Sequence, residues 1–360
     1  MDDLQFDPAG PVLLVGGYGT VGAELARLAA PSWPLLLTGR TTERGEALAR
    51  EVGATVRRWD LSDPAPFSAR IRAVVGVVND PDDRVLRAAV RAGVPYADVT
   101  RWTARLQRAA TVAATLRPDA PVLLSSSWMG GVSPLMASAL ATRTGGADTV
   151  EIAVRWDLKD RAGADSVEFM DRLGLEYEIV EAGRRRLITP LTDTRTVTIG
   201  SSRTRVARID TPEQFTLPIA LGVSTAATRI GFSSPAMTSA LLAVKRSGFF
   251  RWGRGERWTS LRRSLLHSAG EGGIAQLRID VTGPAGTRAA TVTDPFGQAH
   301  LTAVGALMAL RRILGADGAV PPRGLVFPEM TPRPQDVPAF LESVGVSVTE
   351  GTPVPAERAA

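Results

Sequence analysis

Cysteine is absent from this chain of 360 residues, which excludes disulfides, thiolate nucleophiles and cysteine-based zinc sites. Histidine is scarce: only His267 and His300 occur, too far apart in the chain to form a paired metal motif, so we expect no bound metal. No apolar run approaches the roughly 20 residues of a membrane span. The first ten residues, MDDLQFDPAG, lack the basic and apolar regions of a secretory signal. These absences predict a soluble, cytoplasmic protein.

Lysine is equally rare, with Lys159 and Lys245 as the only two, although lysine and arginine together number 42. The arginines are scattered and mostly balanced by 37 acidic residues, which leaves a net charge of +5. No basic stripe with interleaved aromatic residues occurs, so we expect no nucleic-acid partner. A hydrophobic fraction of 44% and the length predict a globular chain with two domains.

The N-terminal third alternates between short apolar runs and segments with helical spacing. Continuous apolar runs such as Val12–Val15 are typical of strands buried on both faces of a parallel sheet. The predicted strands are 12–15, 35–37, 55–59, 73–78, 96–99 and 122–126, and the predicted helices are 20–30, 43–51, 83–92 and 104–116. This alternation predicts an α/β domain with a Rossmann-type, doubly wound parallel sheet.

A glycine motif, Gly17-x-Gly19-x-x-Gly22, lies between the first of these strands and the following helix. In that context the glycines are typical of a dinucleotide site: one permits a tight turn, one lets a pyrophosphate approach the backbone, and one lets the helix pack closely. The phosphates would lie at the helix N-terminus. The predicted phosphate-binding turn is therefore Gly17, Tyr18, Gly19, Thr20, Val21 and Gly22. The alternative is a glycine-rich turn that binds no ligand.

The end of the second predicted strand indicates the nucleotide. NAD-binding proteins usually carry a carboxylate there for the ribose 2′-hydroxyl, whereas this chain has Arg40, which can bind a 2′-phosphate. We therefore predict NADP, held by Gly39, Arg40 and Thr41; a solvated arginine is the alternative. Polar turns after later strands complete the predicted cofactor site: Asp60, Leu61, Asn79, Asp80, Asp98 and Ser126. Turn formation and helix capping are the alternative for Asp60 and for Asn79-Asp80.

With these residues in view, the chain resembles the saccharopine dehydrogenase-like (saccharopine reductase) family of NADP-dependent oxidoreductases. The resemblance rests on VLLVGGYGTVG (12–22), TGR (38–40), AGVPYADVT (92–100), VLLSSSWMGGVSPLMASALA (122–141) and LVFPEMTPRPQDVPAFLESVGVSV (325–348). It implies a nucleotide domain interrupted by a second α+β domain with an antiparallel sheet. Period-two alternation in 149–157 and 276–281 supports a sheet with one covered face.

The domain boundaries follow from this resemblance. We expect the first part of the NADP-binding domain at 1–132, a substrate and dimerisation domain at 133–298, a return to the first domain at 299–350, and a flexible tail at 351–360. A homodimer is expected too, because a one-faced sheet leaves its second face or an edge open, and relatives often cover it with a second copy.

Two enzyme classes are excluded by their motifs. None of the three tyrosines has a lysine four residues later, as short-chain dehydrogenases require, and no Gly-x-Ser-x-Gly elbow of a hydrolase occurs. Tyr96, at the end of a predicted strand, and His300, six residues after Asp294, are the predicted catalytic proton donors. The predicted substrate-binding residues are Trp102, Trp128 and Met129. Core packing is the alternative for the tryptophans, and a structural role for the histidines.

The predicted function is an NADPH-dependent reductase that transfers a hydride to an imine or a conjugated C=C or C=O of a small-molecule substrate. The family includes both imine-forming amino-acid dehydrogenases and lipid enoyl reductases, so the acceptor stays open. Apolar segments at 217–223 and 236–244 favour a hydrophobic metabolite. The alternative is a non-catalytic NADP-binding or sensor protein with the same fold.

Overall fold

The computed structural model describes residues 2–160, 172–252, 273–351 and 357–358. The chain divides into two compact units: unit 1 contains residues 1–132 and 302–333, and unit 2 contains residues 133–301 and 334–360. His267 lies outside the described residues. Within the described segments, no helix has the length and apolar character needed to cross a membrane.

Unit 1 is built on a seven-stranded parallel sheet with the spatial order β17-β8-β7-β6-β2-β3-β4. Strands β1 and β5 form a separate parallel pair. The strands of unit 1 are β1 Asp3–Phe6, β2 Val12–Val15, β3 Leu35–Gly39, β4 Thr55–Arg58, β5 Ser68–Ile71, β6 Ala73–Gly76, β7 Tyr96–Asp98, β8 Val122–Leu124 and β17 Leu325–Val326. Its helices are α1 Thr20–Ala29, α2 Glu46–Val52, α3 Arg84–Arg91 and α4 Thr103–Leu116, with a 3-10 turn at Thr42–Arg44.

The strand order confirms the predicted Rossmann-type, doubly wound sheet. All four residues of β2 and all four of β6 are buried, as their continuous apolar runs predict. The direction of winding reverses between β2 and β6, since β3 and β4 lie on one side of β2 while β6, β7 and β8 lie on the other. The carboxyl ends of β2 and β6 therefore form the switch point at which open sheets of this kind bind ligands.

Unit 2 contains an eight-stranded sheet with the order β18-β16-β15-β9-β14-β13-β12-β19. Its strands are β9 Thr149–Trp156, β12 Arg195–Ile199, β13 Ser202–Arg208, β14 Thr225–Phe232, β15 Ala275–Gly283, β16 Gly286–Asp294, β18 Ser347–Gly351 and β19 Glu357–Arg358, and a separate hairpin joins β10 Tyr177–Glu181 to β11 Arg184–Ile188. The remaining helices are α5 Val132–Arg143, α6 Glu213–Leu221, α7 Pro235–Arg246, α8 Phe249–Trp252, α9 Gln298–Ile313 and α10 Val337–Ser343, with 3-10 turns at Pro328–Met330 and Pro334–Asp336. The sheet is mixed: β9 pairs parallel with β14, while every other described pair of neighbouring strands in it is antiparallel.

The alternation in β9 places its apolar side chains on one buried face, as predicted. Val150, Ile152, Val154 and Trp156 are all buried. On the opposite face Ala153 is buried too, in a cluster with Ile199 of β12 and Val206 of β13, while Thr149, Glu151 and Arg155 are half-buried. The second face is thus partly covered at β9, whereas the edge strand β18 is mostly exposed.

Two buried arginines face each other on β13 and β14. Arg208 and Arg229 are directly paired in register, and each is only 2% exposed. Asp193 accepts from Arg208 Nε at 2.9 Å and from Arg229 Nη2 at 2.6 Å. Burial by itself raises the pKa of Asp193, but the hydrogen bonds and charges of the surrounding arginines outweigh it and hold that pKa well below its usual value. Asp193 thus bridges both guanidinium groups, and each has a second carboxylate partner: Glu181 for Arg208 and Glu151 for Arg229.

The expected course of the C-terminal segment needs correction. Residues 334–350 belong to unit 2 and not to unit 1, because β18 pairs antiparallel with β16 and sets Val348 opposite Val292. The expected flexible tail at 351–360 is also wrong for Glu357–Arg358, which pair with β12.

Candidate nucleotide-binding site

The three glycines of the motif differ in what a side chain would meet at their positions. A Cβ atom at Gly17 would lie 2.9 Å from the Leu14 carbonyl oxygen, so the tight turn leaves no room for one. At Gly22 a Cβ would collide with the Gly16 carbonyl oxygen, because α1 packs directly on the turn. At Gly19 a Cβ would meet only the Gly16 oxygen, at 3.3 Å. The internal packing of unit 1 does not require glycine at 19, and open space beside that residue is what an approaching pyrophosphate needs.

The N-terminus of α1 opens onto the same space. Gly19 is the N-cap, and no side chain accepts a hydrogen bond at the cap. Gly19 and Thr20 are both exposed. The first N–H groups of a helix have no partner inside the helix, and together with the helix dipole they favour an anion. The turn therefore fits a phosphate group.

Gly16 also belongs to the turn, although the predicted motif begins at Gly17. Its φ angle is +84°, in the left-handed region that favours glycine. A Cβ at this position would lie 2.7 Å from Val78 Cβ, just beyond the end of β6. The turn after β2 and the segment after β6 are thus in direct contact at the switch point. The doubled glycine in VLLVGGYG was the available signal.

The predicted ribose-binding residues lie close to Tyr18. The backbone N–H of Thr41 donates to Tyr18 Oη at 3.1 Å, and a Cβ at Gly39 would lie 2.5 Å from Tyr18 Cζ. Arg40 is exposed and forms no ion pair with any described residue. Its charge acts on both Tyr18 and Asp60. The structure therefore brings these predicted residues together around an exposed cation at the end of β3.

Asp60 is held in a turn at the end of β4. Its Oδ1 accepts from the Ser62 hydroxyl at 2.7 Å and from the Ser62 N–H at 3.1 Å. These hydrogen bonds lower the pKa of Asp60, and the charges of Arg58 and Arg40 add to the effect. Arg84 binds the Leu61 carbonyl oxygen at 3.3 Å and so fixes the course of the same loop. The turn-forming role is what the structure shows, and a cofactor contact of Asp60 stays a prediction.

Asp80 is a helix cap. Its two carboxylate oxygens accept from the backbone N–H groups of Arg84 and Val85, both at 2.9 Å, at the start of α3. Burial raises the pKa of Asp80 although these hydrogen bonds oppose it. Asn79 accepts a hydrogen bond from Arg105, on α4. Cofactor contacts of Asn79 and Asp80 stay predictions.

Asp98 is the centre of a buried network at the carboxyl end of β7. The Tyr96 hydroxyl donates to Asp98 Oδ2 at 2.8 Å, and the Ser126 hydroxyl donates to Oδ1 at 2.5 Å. Arg101 pairs with both Asp98 and Asp83. Burial by itself would lower the pKa of Arg101, but the Asp98 carboxylate outweighs it and keeps the pKa raised. Arg101 was not predicted as a functional residue, because the only indication in the sequence is its position just after the strand end.

Tyr96 is enclosed by this network. Its side chain is 1% exposed, and Arg101 Nη2 donates to its hydroxyl at 3.3 Å. Burial, followed by the charge of Asp98, raises the pKa of Tyr96 well above its usual value. The hydroxyl already donates a hydrogen bond to Asp98. These contacts give Tyr96 a structural role. Its catalytic role stays a prediction.

The loop after β8 is a strained turn packed on α9. Met129, Gly130 and Gly131 all have left-handed φ angles, of +54°, +62° and +93°. The Thr302 hydroxyl lies 3.8 Å from Met129 Sδ, and a Cβ at Gly305 would collide with the Gly130 carbonyl oxygen. This close packing fixes the loop. Met129 is buried. Trp102 and Trp128, which are also predicted to bind the substrate, are half-buried.

His300 is paired with Asp294 inside unit 2. His300 Nδ1 lies 2.7 Å from Asp294 Oδ2, and Asp294 is fully buried. The ring of Phe296 packs edge-on against the imidazole, with the centroids 5.0 Å apart. A buried carboxylate at Nδ1 fixes the ring and the position of its proton. The six-residue spacing noted in the sequence therefore produces a His–Asp pair.

Comparison with known proteins finds similarity only at the level of structure. No protein-family model and no curated protein matches the chain. Apo saccharopine dehydrogenase (L-Glu forming) from Saccharomyces cerevisiae has a TM-score of 0.65 to this chain, with 12% sequence identity, covering 95% of this chain and 100% of that one. The chain has the saccharopine dehydrogenase fold. The resemblance noted in the sequence is confirmed at that level.

Two further solved structures are more distant. Myo-inositol dehydrogenase from Corynebacterium glutamicum is 13% identical, with 98% of this chain and 100% of that one covered and a TM-score of 0.43. Scyllo-inositol dehydrogenase from Lactobacillus casei, solved with bound NAD(H) and scyllo-inositol, is 11% identical, with 95% and 99% covered and a TM-score of 0.41. These lower scores add no support to an assignment.

Proposed function

We propose that the chain is an NADPH-dependent reductase of a small-molecule substrate. The observation that carries the proposal is the glycine turn at the switch point of the parallel sheet. Positions 17 and 22 are closed by packing, while position 19 borders open space at the uncapped N-terminus of α1. A turn that only needed glycine for its own geometry would not require glycine at 19. A bound pyrophosphate does.

The residues around the turn fit the rest of a dinucleotide. Gly17–Gly22 would hold the pyrophosphate through backbone N–H groups, and Gly39, Arg40 and Thr41 would hold the adenosine ribose. The exposed Arg40 guanidinium supports NADP over NAD, because it offers a cation to a 2′-phosphate where NAD-binding proteins present a carboxylate. When bound, the nicotinamide supplies the hydride.

The protein's own chemistry is confined to binding, orientation and proton supply. His300 is the proposed proton donor: Asp294 holds Nδ1, as in histidines that exchange a proton at Nε2. Tyr96 is the weaker candidate, because its hydroxyl already donates to Asp98 in a buried network. An imine or a conjugated C=C or C=O is the proposed acceptor, since each gains a hydride at carbon and a proton at a neighbouring atom.

The test has two stages. Tryptophan fluorescence or thermal shift with NADPH and NADH measures binding, and loss of NADPH absorbance in the presence of imines, enones and aldehydes measures reduction. We expect tight NADPH binding and oxidation of NADPH by one acceptor class. Binding without oxidation by any acceptor would favour the sensor alternative. Failure to bind either nucleotide at millimolar concentration would contradict the proposal altogether.

Once an acceptor that oxidises NADPH is found, the proposed proton donor can be tested. His300→Gln should lower kcat and remove a limb of its pH dependence, while leaving the Kd for NADPH unchanged. The control is Asp294→Asn, which keeps the imidazole but weakens its orientation and should give a smaller loss. A His300→Gln variant with unchanged kcat and pH profile would exclude the proton-donor role.

A further inference from the structure

Tyr18, inside the glycine motif, reaches across both ends of the next loop in unit 1. This loop, residues 39–45, leads from β3 to α2 and is called the ribose loop below. At one end a Cβ on Gly39 would lie 2.5 Å from Tyr18 Cζ, and at the other a Cβ on Gly45 would lie 2.6 Å from Tyr18 Cδ1. Between them the Thr41 N–H donates to the Tyr18 hydroxyl at 3.1 Å. The aromatic ring fits because both ends of the loop are glycine.

The ribose loop carries two arginines whose charges act on the same hydroxyl, Arg40 and Arg44. Burial raises the pKa of Tyr18, although the Thr41 N–H and the charges of Arg44 and Arg40 oppose the increase. The hydroxyl therefore stays uncharged at neutral pH and does not repel a phosphate group. The hydroxyl holds the loop and does not compete with a phosphate group for the guanidinium groups of Arg40 and Arg44.

We propose that Tyr18 is a positioning residue that fixes the ribose loop for a nucleotide 2′-phosphate and so sets the preference for NADPH over NADH. The inference rests on the proposed function, since it takes the glycine turn to be a pyrophosphate site. One residue then links two binding elements: its backbone belongs to the pyrophosphate turn, and its side chain holds the loop that presents Arg40. NADH lacks the 2′-phosphate, so its binding depends much less on where that loop lies. A loop held in place before binding loses less entropy when the ligand arrives.

The main test is Tyr18→Phe, which keeps the ring and removes the acceptor for the Thr41 N–H. One hydrogen bond contributes about 1 kcal/mol, so the Kd for NADPH should rise by ~3- to 10-fold while the Kd for NADH changes less than about twofold. Gly45→Ala is a second variant: it keeps the hydroxyl but displaces the ring, and should cause the same selective loss. Tyr177→Phe, in unit 2, is the matched control and should change neither constant. Circular dichroism checks that each variant is folded.

The wild-type titrations separate failure of this inference from failure of the proposed function. If the wild type prefers NADPH and Tyr18→Phe keeps that preference, the positioning role is wrong and the NADP assignment stands. Equal weakening of both nucleotides also overturns the inference, since it indicates a general structural role. A wild type without any preference for NADPH overturns both the NADP assignment and the role of Tyr18.

Discussion

At the scale of single residues, the structure separates the glycines that the fold requires from Gly19, which is proposed to serve a ligand. Gly22 lies against the Gly16 carbonyl oxygen, so any side chain there forces α1 away from the turn. At Gly19 a Cβ would meet only the same oxygen, at 3.3 Å, which is a close contact but not a collision. The two positions are three residues apart in one turn, and they should respond to substitution in opposite ways.

Gly19→Val and Gly22→Val form a matched pair. Gly19→Val should abolish NADPH binding while the melting temperature falls little, because the branched side chain enters the space required by the pyrophosphate. Gly22→Val should instead lower the melting temperature markedly, since it forces overpacking between helix and turn. Thermal unfolding with and without NADPH measures both. Normal NADPH binding by Gly19→Val would place the phosphates elsewhere.

Arg40 makes the second prediction at this scale. The wild type should bind NADPH at least tenfold more tightly than NADH, a difference of about 1.4 kcal/mol. Arg40→Asp should remove or invert this preference, because a carboxylate repels the 2′-phosphate and can accept from a 2′-hydroxyl. Arg70→Asp, an equal charge change at an exposed position in β5, is the control and should leave the ratio unchanged. Equal affinities in the wild type would contradict the assignment.

Residues whose roles depend on near neighbours in the chain could be predicted, and residues with distant partners could not. The glycine motif and Arg40 were recognisable because strand, turn and helix follow one another directly. The sequence does not show that Arg101 pairs with Asp83, since the approach of α3 and α4 creates that contact. Likewise, only the fold shows that the Tyr96 hydroxyl donates a hydrogen bond to Asp98.

At the scale of secondary-structure elements, the mixed sheet depends on charge as well as on apolar packing. Strands β13 and β14 bring two guanidinium groups into register at positions that are almost fully buried. Asp193 lies in the turn before β12, has a left-handed φ angle of +47°, and binds both of them. Without that carboxylate the two adjacent guanidinium groups would lose the partner that they share and would keep only one glutamate each.

Asp193→Asn tests this dependence, because asparagine also tolerates the left-handed conformation. The variant should lower the free energy of unfolding at neutral pH by about 1–3 kcal/mol, since two buried guanidinium groups lose the carboxylate that they share. The pKa of Asp193 is lowered in the folded protein, so its contribution is complete above the ordinary value of 3.8 and is lost as the pH falls further. The difference between wild type and variant should therefore shrink at acid pH. Urea unfolding measures it, with the exposed Asp82→Asn as the control; a deficit that is equal at both pH values would contradict the role.

Elements with strong periodicity were predicted close to their observed bounds, and short or polar ones were missed. The alternating segment at 276–281 lies within β15, and the alternating segment at 149–157 forms β9. Strand β18 was missed because SVTEG is short, mostly exposed and stabilised by its pairing with β16, about 55 residues earlier in the chain. Pairing between distant segments leaves no periodic signal in either one.

At the scale of the whole molecule, the oligomeric state is the open prediction. We expect a homodimer. Because part of the second face is covered at Ala153 of β9 and the edge strand β18 is mostly exposed, we expect β18 to form the contact. Light scattering at micromolar concentration should give twice the mass of 38.1 kDa. Thr349→Pro, which removes a backbone donor at that edge, should weaken the dimer if β18 forms the contact. A monomeric wild type would end the prediction.

The interleaved course of the chain has a consequence for synthesis. Strand β17 adds to the parallel sheet beside β8, although about 200 residues separate the two strands, and β18 returns to the sheet of unit 2 after that. A ribosome therefore releases an N-terminal segment that cannot complete its sheet until nearly the whole chain has emerged. Until then, β8 presents an unpaired apolar edge to the surrounding water, and a chaperone that shields such edges would have the longest time to bind here. Neither unit can be expressed as one uninterrupted piece of sequence, so any attempt to isolate unit 1 has to join residue 132 to residue 302.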